Sequence, residues 1–213
     1  MDDIEILWNK FDQIVRTRGP GLDELGFRVG ASLRDIKNAE EALNIEFPDD
    51  YRRFLRICNG QENNRFFFLP DQVLLMSVDQ IVAAHRFQQQ FVVPEFVADF
   101  FDRYHFNNEI RQIIQHPKRV PIAEQEGISN IYLDFVPGPE GRAGQLIFNI
   151  TECSFIALAS SFSELISNYI KLLKRGLLIF TMEEDGFPNE FALKTVERKT
   201  IDGEILLNMM NLL

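Results

Sequence analysis

Three segments near the middle of the chain, Ile128 to Val136, Gln145 to Ile150 and Ser154 to Ala159, are rich in β-branched and aromatic residues and are divided only by short stretches containing glycine and proline. A parallel crossover needs a dozen or more residues, so the loop Pro137-Gly138-Pro139-Glu140-Gly141 predicts an antiparallel hairpin. Directly afterwards Ser161 and Glu164 have capping-box spacing. Phe162, Leu165, Ile166, Tyr169, Ile170 and Leu173 then make one face of a helix that closes with Lys171, Lys174, Arg175 and Gly176. Strands of this kind feeding an amphipathic helix predict an α+β fold, with a central, mainly antiparallel β-sheet flanked by helices.

The N-terminal third reads as helices. Ile4, Leu7, Trp8, Phe11, Ile14 and Val15 recur at helical spacing until Gly19-Pro20-Gly21 breaks the pattern. Ser32 caps a second helix with the stripe Leu33, Ile36, Ala39 and Leu43, ended by Asn44 in a left-handed conformation. Pro48-Asp49-Asp50 opens a third with a first-turn proline; Tyr51, Phe54, Leu55 and Cys58 form its face and Asn59-Gly60 stops it. Phe66 to Leu69 and Val73 to Met76 read as short strands on either side of a turn at Pro70-Asp71. Ser77 and Gln80 then form a capping box for a helix to about Gln90, and Pro94 opens another with the stripe Val97, Phe100, Phe101 and Tyr104. Nine of the 20 phenylalanines lie between Phe66 and Phe106, which assigns much of the core, or a cap on one sheet end, to this stretch.

The tail carries a strand near Leu193 to Thr200 and a terminal helix from Asp202. Its apolar residues, from Leu177 to Phe180 and from Leu206 to Met210, are too many for a free extension. The expected organisation is therefore a packed N-terminal helix over 1–18, a main domain over 19–176 and a docked extension over 177–213.

Charge narrows the partners. The 22 Lys and Arg against 32 Asp and Glu leave a formal net of −10, which repels phosphate backbones and anionic lipid, and no basic patch offsets it. Neither direct nucleic-acid binding nor membrane binding is expected; a basic protein partner suits such a surface. Met1-Asp2-Asp3 has the wrong charge for a signal peptide and no apolar run reaches a membrane span, so the expected location is cytoplasmic. The sequon at Asn149 lies in a predicted strand and is discarded.

A search for chemistry returns little. No phosphate loop, nucleophile elbow, zinc-type His-Glu-x-x-His or dinucleotide fingerprint occurs, and Gly19, Gly21 and Gly26 are wrongly spaced for the last. Cys58 reads as a core thiol, and Cys153 has no histidine nearby in sequence. His85, His105 and His116 are too dispersed for a metal pattern, and Asp134 and Glu140 read as solvated or turn-forming carboxylates rather than an acid–base pair. No catalytic residue, metal or cofactor is expected.

The order of the pieces resembles the SUKH superfamily, which contains fungal cell-wall synthesis regulators of the Smi/Knr type and bacterial immunity proteins that neutralise toxins. Three stretches carry the likeness. The first runs from Ala39-Glu40-Glu41-Ala42-Leu43-Asn44-Ile45 through Phe47-Pro48-Asp49-Asp50-Tyr51-Arg52-Arg53-Phe54-Leu55 to Asn59-Gly60-Gln61-Glu62. The second is Val120-Pro121-Ile122-Ala123 running into Gly127 and Ile131-Tyr132-Leu133-Asp134-Phe135. The third is Gly141 to Ile147, with Ala159 to Leu165 opening the last family helix. Where many members carry a tryptophan just before the Pro-Ile pair, this chain has Arg119-Val120.

The resemblance implies a binding protein without catalytic residues. It would act as an immunity protein that occludes a toxin domain, many of which are nucleases with basic clefts; the alternative is an intracellular regulatory adaptor. If contact follows the acidic loops, Glu62, Glu124, Glu126, Asp134 and Glu140 are the candidate partner-binding residues, because the hairpin and the neighbouring turn would gather several of them at one sheet end.

Overall fold

The computed structural model describes residues 3–19, 25–62, 66–90, 107–125, 129–150, 154–182 and 191–213. The helix expected from Pro94, together with His105, Glu126 and Cys153, lies outside the described residues. Helix α1 (Ile4–Arg18) starts where the Asp3 carboxylate accepts from Glu5 N at 2.9 Å, and buries Ile4, Leu7, Trp8, Phe11 and Val15. That face packs on α3 (Asp49–Leu55) and α5 (Phe162–Lys174). The Trp8 ring lies 4.8 Å from Phe54 and 5.0 Å from Phe27, both edge-on, and Phe54 is 4.3 Å from Phe162. Each buried edge-to-face pair adds about 0.5–1.5 kcal/mol beyond its area.

Helix α2 (Leu33–Leu43) is capped by Ser32 and ends at Asn44 with φ 52°, as its sequence indicates. Its buried stripe is Ile36, Ala39 and Leu43; Leu33, expected on that stripe, is 60% exposed. The acidic end of α2 ties it to α3, because Glu40 Oε1 accepts from Phe47 N at 2.8 Å and from Arg52 Nε at 3.1 Å. Pro48 is the N-cap of α3 rather than a first-turn residue. The helix also stops earlier than its apolar spacing suggests. After Leu55 the chain turns at Arg56 and Ile57, and Cys58 begins strand β2 (Cys58–Gln61), antiparallel to β1 (Phe27–Val29). The Leu55 carbonyl accepts from Ala31 N at 2.8 Å, an acceptor taken by the neighbouring segment instead of a further helical turn.

Five strands form the principal sheet in the order β4-β5-β6-β7-β8, antiparallel throughout: β4 (Leu74–Leu75), β5 (Arg119–Gln125), β6 (Ser129–Asp134), β7 (Gln145–Ile150) and β8 (Ser154–Ala159). The β6–β7 hairpin lies where Pro137 to Gly141 puts it. One face buries Ile131, Leu133, Leu146 and Phe148 in the main core with helices α1, α2, α3 and α5; the other carries Tyr132, Ile147, Phe155 and Ala157 against Ile110 and Ile114. The fold is therefore α+β with a mainly antiparallel sheet.

Helix α4 (Val78–Gln89) begins with the expected capping box: Gln80 N donates to Ser77 Oγ at 3.3 Å and Ser77 N to Gln80 Oε1 at 2.9 Å. Ser77→Ala should cost about 1 kcal/mol, seen as a melting temperature lower by about 2–4 °C; an unchanged melt would show the cap to be idle. At α5 the box is displaced by one residue. Glu164 N donates to Ser161 Oγ at 3.1 Å, but the Glu164 carboxylate accepts from Ser160 N at 2.7 Å rather than from the cap residue. Asp50 Oδ2 of α3 also accepts from Ser163 N at 2.8 Å, which joins the two helices at that end.

Beyond Gly176, β9 (Leu178–Met182) pairs antiparallel with β10 (Phe191–Thr195), and β10 pairs in parallel with β3 (Phe66–Phe67). The strand expected over 193–200 ends early because the chain reverses at Arg198, φ 62°, with Arg198 N donating to Thr195 O at 2.8 Å. Helix α6 (Gly203–Met210) starts at the Asp202 cap and packs on β8 and α5, burying Leu206 and Met210.

Candidate partner-binding surface

A bulge in β5 decides which side chains share the polar face of the sheet. Arg119 pairs with Asp134 and Glu124 with Asn130, so six residues of β5 span five of β6, with the irregularity between Pro121 and Ala123. Ile122 and Ala123 both enter the core, and the odd spacing between Arg119 and Glu124 no longer sends them to opposite faces. Arg119, Asp134 and Gln145 stand in one row; Glu124, Asn130 and Asn149 stand in another, four residues away along β6.

The first row is internally satisfied. Arg119 Nε donates to Asp134 Oδ1 at 3.3 Å, with the two side chains 2% and 0% exposed. Asp134 also accepts from Val136 N at 3.1 Å and from Gln145 Nε2 at 3.3 Å. The remaining guanidinium nitrogens donate to the carbonyls of Ile113 and, at 2.8 Å, Arg111, while the cation lies 5.2 Å from the Phe155 ring centroid. Burial lowers the Arg119 pKa, and the Asp134 charge and hydrogen bond oppose that shift. Asp134 was expected in the partner contact, but it is enclosed and committed to Arg119, so it has no surface to offer.

The other described acidic candidates, Glu62, Glu124 and Glu140, do not gather. Glu124 precedes the β5–β6 turn, whereas Glu140 lies in the β6–β7 hairpin, and successive turns of an antiparallel meander fall at opposite ends of their shared strand. Glu140 is exposed and accepts from Asn108 Nδ2 at 3.1 Å. Glu62 follows β2, exposed, 3.7 Å from Arg28 Nε. Glu124 is half-buried, and burial raises its pKa. Sequence reasoning overlooked Asn130, which is 7% exposed with no partner for Oδ1. Its signal is a polar amide at the buried register position opposite Glu124, visible only once the bulge is known. Elsewhere, a groove of about 310 Å³ between α2 and α4 is lined by Asp35, Ala39, Ala42, Asp79, Val82 and Arg86.

His85, His116 and Cys58 serve structure. His85 is buried with Nε2 2.8 Å from Pro117 O, and His116 Nδ1 accepts from Lys118 N at 3.0 Å. Burial and the cations of Arg119 and Arg111 lower the His116 pKa. Among the described residues no group of three or more His, Cys, Asp and Glu is placed to hold a metal, and no described helix is long and apolar enough to cross a membrane. Cys58 opens β2 rather than ending a helix; burial pushes its thiol up to about 12. The stability this group contributes is present below about pH 8.5 and lost as pH rises toward its folded value. Cys58 should resist alkylation at pH 8 until denaturant is added; labelling at the free-thiol rate in buffer would contradict its burial.

Fold and surface together define the class, an α+β scaffold whose buried polar groups hold loops and strands in place. The family model for the SMI1 / KNR4 family (SUKH-1) matches residues 30–168, and the chain belongs to this family. It is 25% identical over 179 residues to a glucan synthesis regulatory protein of Neurospora crassa, an alignment covering 66% of this chain and 32% of that protein. It is 21% identical over 216 residues to the cell wall assembly regulator SMI1 of Saccharomyces cerevisiae, covering 85% of this chain and 43% of that protein. The chain thus spans less than half the length of these curated relatives.

Proposed function

We propose that this chain is a non-catalytic protein-binding module that acts by covering a basic surface of its partner, as an immunity protein covers a toxin domain. The observation that supports this most is the combination of the family match over 30–168 with a net charge of −10. An acidic scaffold steers and covers a basic cleft without a chemical step. Glu62, Glu124 and Glu140 remain the proposed contact acids, with Glu124 and Glu140 serving different ends of the sheet.

The second reading, a regulatory adaptor, is favoured by the names of the two relatives, a glucan synthesis regulatory protein and a cell wall assembly regulator. The experiment that separates them is affinity capture from the native cell with identification by mass spectrometry, followed by co-expression of the captured protein with and without this chain. Growth arrest by the partner alone, relieved by this chain, is the expected result. A harmless partner whose synthesis or signalling activity shifts on binding would overturn the immunity reading in favour of the adaptor.

A further inference from the structure

Each of the two rows on the polar face of the sheet holds a carboxylate beside an amide, but among the described residues a cation meets the carboxylate in only one of them. In one row the Asp134 carboxylate accepts from the Arg119 guanidinium and from the amide of Gln145 on the adjacent strand. In the other, about 13 Å away at the usual strand rise, Glu124 and Asn130 are again a carboxylate and an amide directly opposite each other. Among the described residues the Glu124 carboxylate accepts no hydrogen bond and makes no ion pair, and the buried Asn130 Oδ1 has no partner. Two acceptors at opposite register positions, one half-buried and one fully so, carry a desolvation cost that a donor would offset. The raised pKa of Glu124, caused by burial alone, is the same cost seen in the carboxylate.

We propose that the half-buried Glu124 carboxylate, with the Asn130 amide opposite it in register, forms an acceptor site for an arginine side chain of a protein partner, which would pair with Glu124 as Arg119 pairs with Asp134. The negative net charge selects a cation. A planar guanidinium presents five N–H donors in a fork that matches a carboxylate, which a point-charge ammonium does less well. This inference rests on the protein-binding reading above and names the chemistry the partner must present.

The test is an NMR titration of the intact chain with N-acetyl-arginine methylamide, following the Glu124 carboxyl carbon and the Asn130 side-chain amide. The controls are the neutral citrulline analogue and N-acetyl-lysine methylamide. The expected result is a saturable shift at both groups with the arginine probe, absent with citrulline and weaker with lysine. Glu124→Gln and Asn130→Leu should each weaken it by at least about tenfold, with thermal melts confirming that both variants fold. Equal shifts with citrulline, no shift at either group, or undiminished binding in Glu124→Gln would overturn the site. If a captured partner is neutralised by this chain and Glu124→Gln leaves its affinity unchanged, the arginine site fails while the functional reading stands. If the arginine probe binds but capture yields no toxin, the immunity reading fails and the site stands.

Discussion

Replacing Arg119 with alanine is expected to lower the unfolding free energy by about 3–5 kcal/mol, because it leaves a carboxylate buried without its counter-ion. Asp134 is fully enclosed and would keep only the hydrogen bonds from Val136 N and Gln145 Nε2. The carbonyls of Ile113 and Arg111 would lose their donor as well, so the segment around 111–115 should exchange its amide hydrogens faster. Loss of the pair as a whole is a different matter. In Arg119→Met combined with Asp134→Leu no charge is left behind, and most of the lost stability should return. Urea unfolding of the two variants decides the matter. A loss below about 1 kcal/mol for the single variant would place this pair with ordinary surface ion pairs, against its burial.

Features written in short-range chemistry were legible in the sequence. Ser32, Ser77, Ser161 and Asn44 mark helix ends because a cap requires only a few neighbouring residues, and the β6–β7 hairpin follows from glycine and proline in its loop. Features set by contacts distant in sequence were not. Pro121 hides β5, since proline is normally kept from a sheet interior; here the strand tolerates it beside a bulge. The same bulge places Glu124 on the face of Arg119, and no local pattern announces it. Asp134 reads as a solvated or turn-forming acid, yet its partner lies 15 residues earlier in the chain. That partner occupies the position where the resemblance expects an aromatic residue nearby. Its flat guanidinium lies against Phe155, so a planar group still covers that part of the sheet.

The candidate site was legible only as composition. Excess acid predicted a basic partner, but which acids face together depends on strand order and on which end each turn occupies. Glu124 and Glu140 are separated for that reason. Asn130, the residue that distinguishes Glu124 from an ordinary surface acid, carries no charge and so escaped a search based on charge.

Gly60→Ala should be the more informative backbone variant, costing at least about 3 kcal/mol, because left-handed strain of about 1–2 kcal/mol is joined by a clash with main chain. Gly60 lies within β2 at φ 85°, and an added Cβ would stand 2.5 Å from Ser77 N, 2.6 Å from Met76 C and 2.9 Å from Leu75 O. That neighbouring segment has little freedom to retreat. Met76 N donates to Ile122 O at 2.9 Å, Val78 N to Asn59 Oδ1 at 2.9 Å, and Ser77 N to the capping Gln80. Moving it would disturb β4, the start of α4 and the edge of β5 together. Gly176→Ala is the control, since Gly176 has φ 68° but nothing within 4 Å of its added Cβ. That variant should show the conformational strain alone, about 1–2 kcal/mol. The difference between the two variants in chemical denaturation therefore isolates the close approach of β2 to the β4–α4 junction. Equal costs for both would show that the junction yields, and that Asn59-Gly60 matters only for its backbone angles.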